Sequence, residues 1–275
     1  MAVGDLARIR TNISALNALN ALGNINSKLT AVNLRLATGK RINSAADDAA
    51  GLTLANSLDV RARRVSAAVR NVGDAENVVS IAEGGLANIN ELMASMVEKI
   101  TLAANGTQGS SERSAIQQEL NQLAEEIDAV SQQTQFNGIV LLTGATLTFQ
   151  SGPDGTNVST FTLGHAFTSA SLGISSLTVA SQTLASTSLG SVSAAIASVA
   201  SALQLAGATI ARLRVKADNL AVSQLNLRAA ESRIRDADLA ADQLESSKLQ
   251  ILQQTATAQL AAANASPSSI LSLFR

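Results

Sequence analysis

Apolar positions near the start of the chain recur at helical spacing. Leu22, Ile25, Leu29, Val32 and Leu36 fall at alternating steps of three and four, the spacing of a coiled-coil seam. Leu6, Ile9, Ile13 and Leu16 follow the same rule, with a phase slip around Leu19. No proline precedes Pro153, so nothing forces a break in this part. Thr38-Gly39-Lys40 is the first punctuation, and Gly39 suits a helix C-cap. The pattern predicts a second helix from Ser44, with Asp47 at the fourth position of the capping pattern, running toward Ala104. A turn over Gly106–Ser111 and a third helix from about Glu112 to Val130 follow. At the far end Leu213, Leu220, Leu227 and Ile234 lie one heptad apart, and Ala230, Ala237, Leu244 and Ile251 form a second such series. Pro267 is expected to mark where that helix has stopped. About 60 helical residues at roughly 1.5 Å each would span on the order of 90 Å, which predicts rods.

The middle has a different texture. Leu147 and Phe149 alternate with Thr146 and Thr148, and Phe161 and Leu163 with Thr160 and Thr162. Gly152-Pro153-Asp154-Gly155 between them is a strong turn signal. A β-hairpin is predicted here, at the centre of a small β region over about 139–180. The expected fold class is mainly α: long antiparallel helical rods and a terminal coiled coil, with that small β-hairpin region in the middle.

Composition narrows the chemistry. With no Cys and one His in 275 residues, thiol catalysis, disulfide scaffolds and the usual zinc ligand sets are excluded. Aromatic residues make up 2%, so the apolar content of 46% is mostly Ala, Leu, Ile and Val, which suits closely packed helices better than a cavity. The net charge of −1 gives no nucleic-acid footprint. Between Ala129 and Ala211 the only charged residue is Asp154. His165 in this stretch is read as a surface residue. Asp47-Asp48 is read as a carboxylate pair at a helix N-terminus, and Arg61, Arg63, Arg64 and Arg70 as a solvated or interface face. Met1–Asn12 has no apolar h-region, and no run approaches the ~18 apolar residues of a membrane span, so neither a Sec-type signal nor membrane insertion is expected. No catalytic, cofactor or metal residue is assigned. The Ala- and Gln-rich tract Leu249–Ala263 reads as a helix surface awaiting another chain, so self-association is expected.

Five stretches, in order, carry a family resemblance: Arg10–Leu16 (RTNISAL), Arg41–Gly51 (RINSAADDAAG), Thr134–Gly138 (TQFNG), Glu231–Ala240 (ESRIRDADLA) and Ile270–Arg275 (ILSLFR). Together they make the chain similar to the bacterial flagellins, in a short form without large outer domains. The resemblance implies a structural subunit, not an enzyme, that self-assembles into the helical flagellar filament used for swimming. It implies export in unfolded form, addition at the distal tip and a place outside the cell. An inner coiled-coil layer of 1–42 with 235–275 and an outer bundle of 43–234 are expected from it. The residues expected to carry self-assembly are Ile9, Ile13, Leu16 and Leu29; Arg41, Asn43, Asp47 and Asp48 at the first joint; and Arg235, Asp238, Leu260, Leu271, Leu273 and Phe274.

The implied partners are further copies of the chain, alone or with other flagellins; the flagellar export apparatus and a chaperone; and the filament cap and the hook–filament junction. Nucleic acid and membrane insertion are not among them. Ser95 and Val97 stand where the family carries two arginines toward an animal innate immune receptor, so weak or no recognition by it is expected. The alternative reading is a hook–filament junction protein with the same terminal helices.

Overall fold

A computed structural model describes residues 11–272, with side chains through 265. Five helices and two small hairpins follow in the order α1 (Ile13–Thr38), α2 (Ala49–Ala103), α3 (Ser110–Gln133), β1 (Gln135–Phe136), β2 (Ile139–Val140), β3 (Thr146–Gln150), β4 (Val158–Thr162), α4 (Gln182–Arg235) and α5 (Leu239–Ser272). The chain divides into two compact units, Met1–Val60 with Leu227–Arg275, and Arg61–Asn226.

In the first unit α1 and α5 pack together. Gly39 ends α1 as expected: it sits at φ 68°, a left-handed conformation that a side chain resists, and its N–H bonds to the Arg35 carbonyl. The predicted start of α2 at Ser44 is corrected to Ala49. Asp47 turns back and accepts from the Ser44 and Asn43 backbone N–H groups (2.8 and 3.0 Å), which holds Ser44–Asp48 in turns. Asp48 is the residue that caps α2, accepting from the Gly51 N–H at 2.8 Å. The predicted single C-terminal rod is also corrected. It breaks after Arg235, and Asp238 restarts α5 by accepting from the N–H groups of Ala240 and Ala241. The series Ala230, Ala237, Leu244, Ile251 therefore crosses a break, and its last two members are exposed. Pro267 does not end the helix, since α5 continues to Ser272.

In the second unit, α2 carries a buried stripe at steps of three and four from Val72 to Ala103, through Val79, Leu86, Ile89, Met93, Met96 and Ile100, widened by Val78 and Gly85. Val192, Ala195, Val199, Ala202 and Leu213 of α4, and Ile116, Leu120 and Ile127 of α3, share that core. Within the expected heptad series of α4, Leu213 is buried and Leu220 packs partly buried against the core. The α4 helix also holds an 18-residue window of mean hydropathy 1.6, long and apolar enough to cross a membrane. A count of consecutive apolar residues passes over this window, because Ser and Thr interrupt the Ala, Val and Leu without lowering the mean much.

The predicted hairpin is present as β3–β4, with Leu147 opposite Phe161 and Thr148 opposite Thr160. Lys216 of α4 donates to Ser151 and Ser159, and Asn71 of α2 donates to the Gln150 carbonyl, so the hairpin is tied to both helices. The expected continuation toward Val179 is turns rather than strand. Gln117 pins it to α3, donating to the Leu177 carbonyl and accepting from the Val179 N–H. A second, two-residue hairpin, β1–β2, has Asn137 and Gly138 at φ 49° and 80°, as a type I′ turn requires. His165 is exposed, with its ring 4.5 Å from that of Phe167.

Adjacent glycines in α2 give a paired prediction. A Cβ on Gly84 would meet nothing within 4 Å, whereas one on Gly85 would lie 2.5 Å from Thr134 Oγ1 and 2.9 Å from Leu142 Cδ1. Gly84→Ala should stabilise the second unit by about 0.5–1 kcal/mol through helix propensity. Gly85→Ala should destabilise it by about 1–3 kcal/mol through overpacking. Thermal unfolding should move in opposite directions for the two, and a shift of the same sign would refute the assignment.

Candidate assembly surface

The two faces of the terminal pair differ in exposure. Toward α5, α1 presents Asn12, Ala15, Ala18, Leu22, Ile25, Leu29, Val32 and Leu36, at steps of three and four. Toward α1, α5 presents Asp242, Ser246, Leu249, Gln253, Ala256, Leu260 and Ala263 at the same spacing. The helices run antiparallel: Arg35 pairs with Asp242 at 3.4 Å, Ser246 donates to Asn33 at 3.2 Å, Gln253 to Asn26 at 2.7 Å, and Asn12 to the Ala263 carbonyl at 2.7 Å. Asn26 and Asn33 are seven residues apart, as are Ser246 and Gln253, so two polar rungs repeat by one heptad around Leu29, Val32 and Leu249. These pairs flank the apolar seam at its exposed margin and are matched in this register.

Leu29 and Leu260 are thus seam residues. Ile13 and Leu16, expected to follow the seam, do not: Ala15 and Ala18 take that phase, and Ile13 and Leu16 are exposed. Together with Leu19 and Leu34 they leave large apolar groups on the outward side of α1. On α5, Leu244 is 74% and Ile251 64% exposed, one heptad apart, with exposed Ala258 one heptad further. From Leu249 to Ser272 the helix carries no charge at all. Ile9, Leu273 and Phe274 lie outside the described residues, and the Leu271 side chain does too.

At the joint, the link after α1 is clipped to the end of α4. Lys40 and Asp236 form an antiparallel bridge, the Arg41 N–H donates to the Arg235 carbonyl at 2.7 Å, and the Ala237 N–H donates to the Gly39 carbonyl at 3.0 Å. The Arg41 guanidinium donates through Nε and a terminal nitrogen to the Ile234 carbonyl, at 3.2 and 2.7 Å. A cation thus meets the negative end of the α4 dipole. Asn43 donates to the Lys40 carbonyl at 2.9 Å, which tightens the same link. Arg235 takes part through its backbone, and its Nε is buried without a protein partner. Ile42, 1% exposed, anchors the link. Sequence reasoning passed over it, although an apolar residue between Arg41 and Asn43 was the available signal. A cleft of about 350 Å³ lined by Leu34, Arg35, Arg41, Asn43, Asp47 and Asp48 opens beside it.

The Ser44 backbone N–H, then that of Asn43, then the Ser44 hydroxyl hold Asp47 in its charged form, so its carboxyl lies below its ordinary value of 3.8. Its folded value being lower than its unfolded one, its contribution is present above pH 3.8 and is lost as pH falls through the depressed value. An NMR titration should place its midpoint below 3.8, and a midpoint above would refute the turn geometry. Among the described residues no group of three or more His, Cys, Asp or Glu is placed to hold a metal.

Comparison with known proteins gives the family. The model for the bacterial flagellin N-terminal helical region matches residues 9–146, and that for the C-terminal helical region matches 189–274. Flagellin of Bacillus subtilis is 34% identical, over 98% of this chain and 100% of its own. The flagellar filament 33 kDa core protein of Treponema phagedenis is 33% identical, over 97% and 99%. A solved hook-associated protein of Vibrio parahaemolyticus shares the fold, with a TM-score of 0.58 at 14% identity over 69% of this chain and 100% of its own. The near-complete alignment with filament proteins leaves the junction-protein alternative unfavoured. The chain belongs to the bacterial flagellins, as a structural subunit of the flagellar filament.

Proposed function

We propose that the α1–α5 pair is the polymerising part of this subunit and that its two faces divide the work. The seam, with Leu29 and Leu260, holds the pair together within one copy. The outward apolar groups Ile13, Leu16, Leu244 and Ile251 pack against neighbouring copies, and Ile9, Leu271, Leu273 and Phe274 extend that contact toward the ends. Arg41, Asn43, Asp47, Asp48, Arg235 and Asp238 shape the link from which the pair projects. The inner layer is then 1–42 with 235–275, and 43–234 forms the outer bundle.

The observation that carries this reading is the exposure of Leu244 and Ile251 on α5, on either side of Lys248, after which the helix carries no charge. An apolar, uncharged helix face is costly in water and is relieved by burial against another chain. Contacts of this kind, repeated head to tail without closing a ring, build a helical polymer. Helices that are marginal alone are ordered by such docking, which couples binding to folding.

The remaining partners follow from that role. The subunit crosses the flagellar export apparatus unfolded, escorted by a chaperone that covers the ends, and is added beneath the filament cap, with the hook–filament junction at the base. The absence of Cys removes the risk of crosslinks in transit. With Ser95 and Val97 in place of two arginines, recognition by the animal innate receptor is weak or absent.

Electron microscopy after salting-out, comparing the full chain with one spanning Asn43–Ile234, tests the reading. Long tubes of constant diameter from the full chain alone are expected. Tubes from both, or from neither, would overturn it.

A further inference from the structure

α5 contains a proline inside a helix that does not stop there. Pro267 has no N–H, so the carbonyl four residues earlier, that of Ala263, lacks its helical donor. That carbonyl accepts instead from Asn12 Nδ2 at 2.7 Å, across 251 residues of sequence. The other end of the same amide is also used: Asn12 Oδ1 accepts from the Ala15 N–H at 3.0 Å and caps α1.

Both bonds need one orientation of the amide, since turning it over would set oxygen against carbonyl and nitrogen against N–H. Ser, Thr and Asp cap a helix as well as Asn does, but only Asn adds an amide donor. Asn12 also lies in heptad phase with Asn26 and Asn33, the two polar rungs of the seam.

We infer that Asn12 is the register lock of the terminal pair: it closes on α5 at the carbonyl that Pro267 has left without a helical donor, and so favours one position along α5 for the start of α1. This rests on the proposal that the α1–α5 pair is ordered in the filament. The freed carbonyl is what makes the lock directional. In a displaced register Asn12 would share a carbonyl that already has its helical donor, a smaller gain, and the Ala263 carbonyl would lose its protein donor.

A double-mutant cycle on assembled full-length protein tests it. Asn12→Ser keeps a capping oxygen but is too short to reach α5, and Pro267→Ala returns a helical donor to the Ala263 carbonyl. Followed by light scattering, Asn12→Ser should lower the heat-disassembly midpoint by on the order of 3 °C. In the Pro267→Ala background the same change should have a markedly smaller effect, because the lock has nothing left to satisfy. Equal losses in both backgrounds, or no loss in either, would overturn the inference.

Failure of the unsubstituted chain to polymerise would count against the filament role of the pair, and the cycle would then be read by amide exchange on the soluble chain. Exchange across residues 15–18 and 260–266 should be about fivefold faster in Asn12→Ser when Pro267 is present, and accelerated markedly less by it when position 267 is alanine. An effect independent of Pro267, or none, would again refute the lock.

Discussion

Replacing Leu244 and Ile251 together by aspartate should abolish polymerisation at concentrations where the unsubstituted chain forms filaments, with the helix content of the soluble subunit unchanged. Both side chains are mostly exposed in the single chain, so neither contributes much to its folding. Buried between copies, each would be worth about 1.5–3 kcal/mol, and an unpaired carboxylate in its place adds a desolvation penalty. A combined loss of about 3–6 kcal/mol per subunit raises the concentration needed for assembly by roughly 10²–10⁴-fold. Thr156→Asp, an exposed change in the β3–β4 loop, serves as control and should assemble normally. Sedimentation of polymer against concentration gives the measurement. Pelleting of the double variant at the unsubstituted concentration would remove α5's outward face from the assembly contact.

That face illustrates how far the sequence could be read. The heptad series ending in Leu244 and Ile251 is visible in the pattern, but the pattern alone does not say whether such a series faces the chain's own partner helix or another molecule. The answer lies in Asp238. Its carboxylate takes the first N–H groups of α5, breaks the rod and resets the helical phase, so that Ser246 and Leu249 turn inward instead. Asp-Ala-Asp inside an otherwise periodic stretch is the trace of that break, and the strength of the periodicity hides it. Ser44 and Asp47 mislead in the same manner. The Ser-x-x-Asp spacing is that of a capping box, yet the carboxylate serves the N–H groups behind it and leaves the cap to Asp48.

Local signals fared best where one residue decides the geometry. Gly39 ends α1 because it can adopt a positive φ, and the alternating Thr, Leu and Phe residues around Gly152–Gly155 form the expected hairpin. Asn137-Gly138 carried an equally local signal for the β1–β2 turn. What no local reading could supply are the contacts between distant residues. Gln117 fastens the turns at Leu177–Val179, and Asp128 accepts from the Ser169 backbone and hydroxyl at 2.7 Å each, so this strand-poor stretch is shaped by α3 rather than by its own sequence. Pro267 belongs to the same class: it predicts a helix end, yet α5 continues, and a residue from α1 donates to the carbonyl four residues before it.

Arg41→Ala should loosen the joint without opening a cavity behind it. The guanidinium places two donors on the Ile234 carbonyl, among the last carbonyls of α4, which have no partner further along the helix. Bonds from a charged donor are worth about 1.5–3 kcal/mol, and the exposure of Arg41 reduces that, so a loss of about 1–2 kcal/mol is expected in the unit that holds the terminal pair. The Arg41 N–H bond to Arg235 survives the substitution, so the link should fray rather than detach. The nearest reporters are the amides of Asp236 and Ala237, which bond to the Ser232 and Gly39 carbonyls. Their exchange should accelerate roughly tenfold. Arg41→Lys should recover only part of the protection, since an ammonium keeps the charge at the helix end but loses the two-nitrogen fork. Full recovery by lysine would mean that charge alone holds the link. Unchanged exchange in Arg41→Ala would mean that the backbone bridge at Lys40 and Asp236, with Ile42 buried behind it, suffices without the side chain.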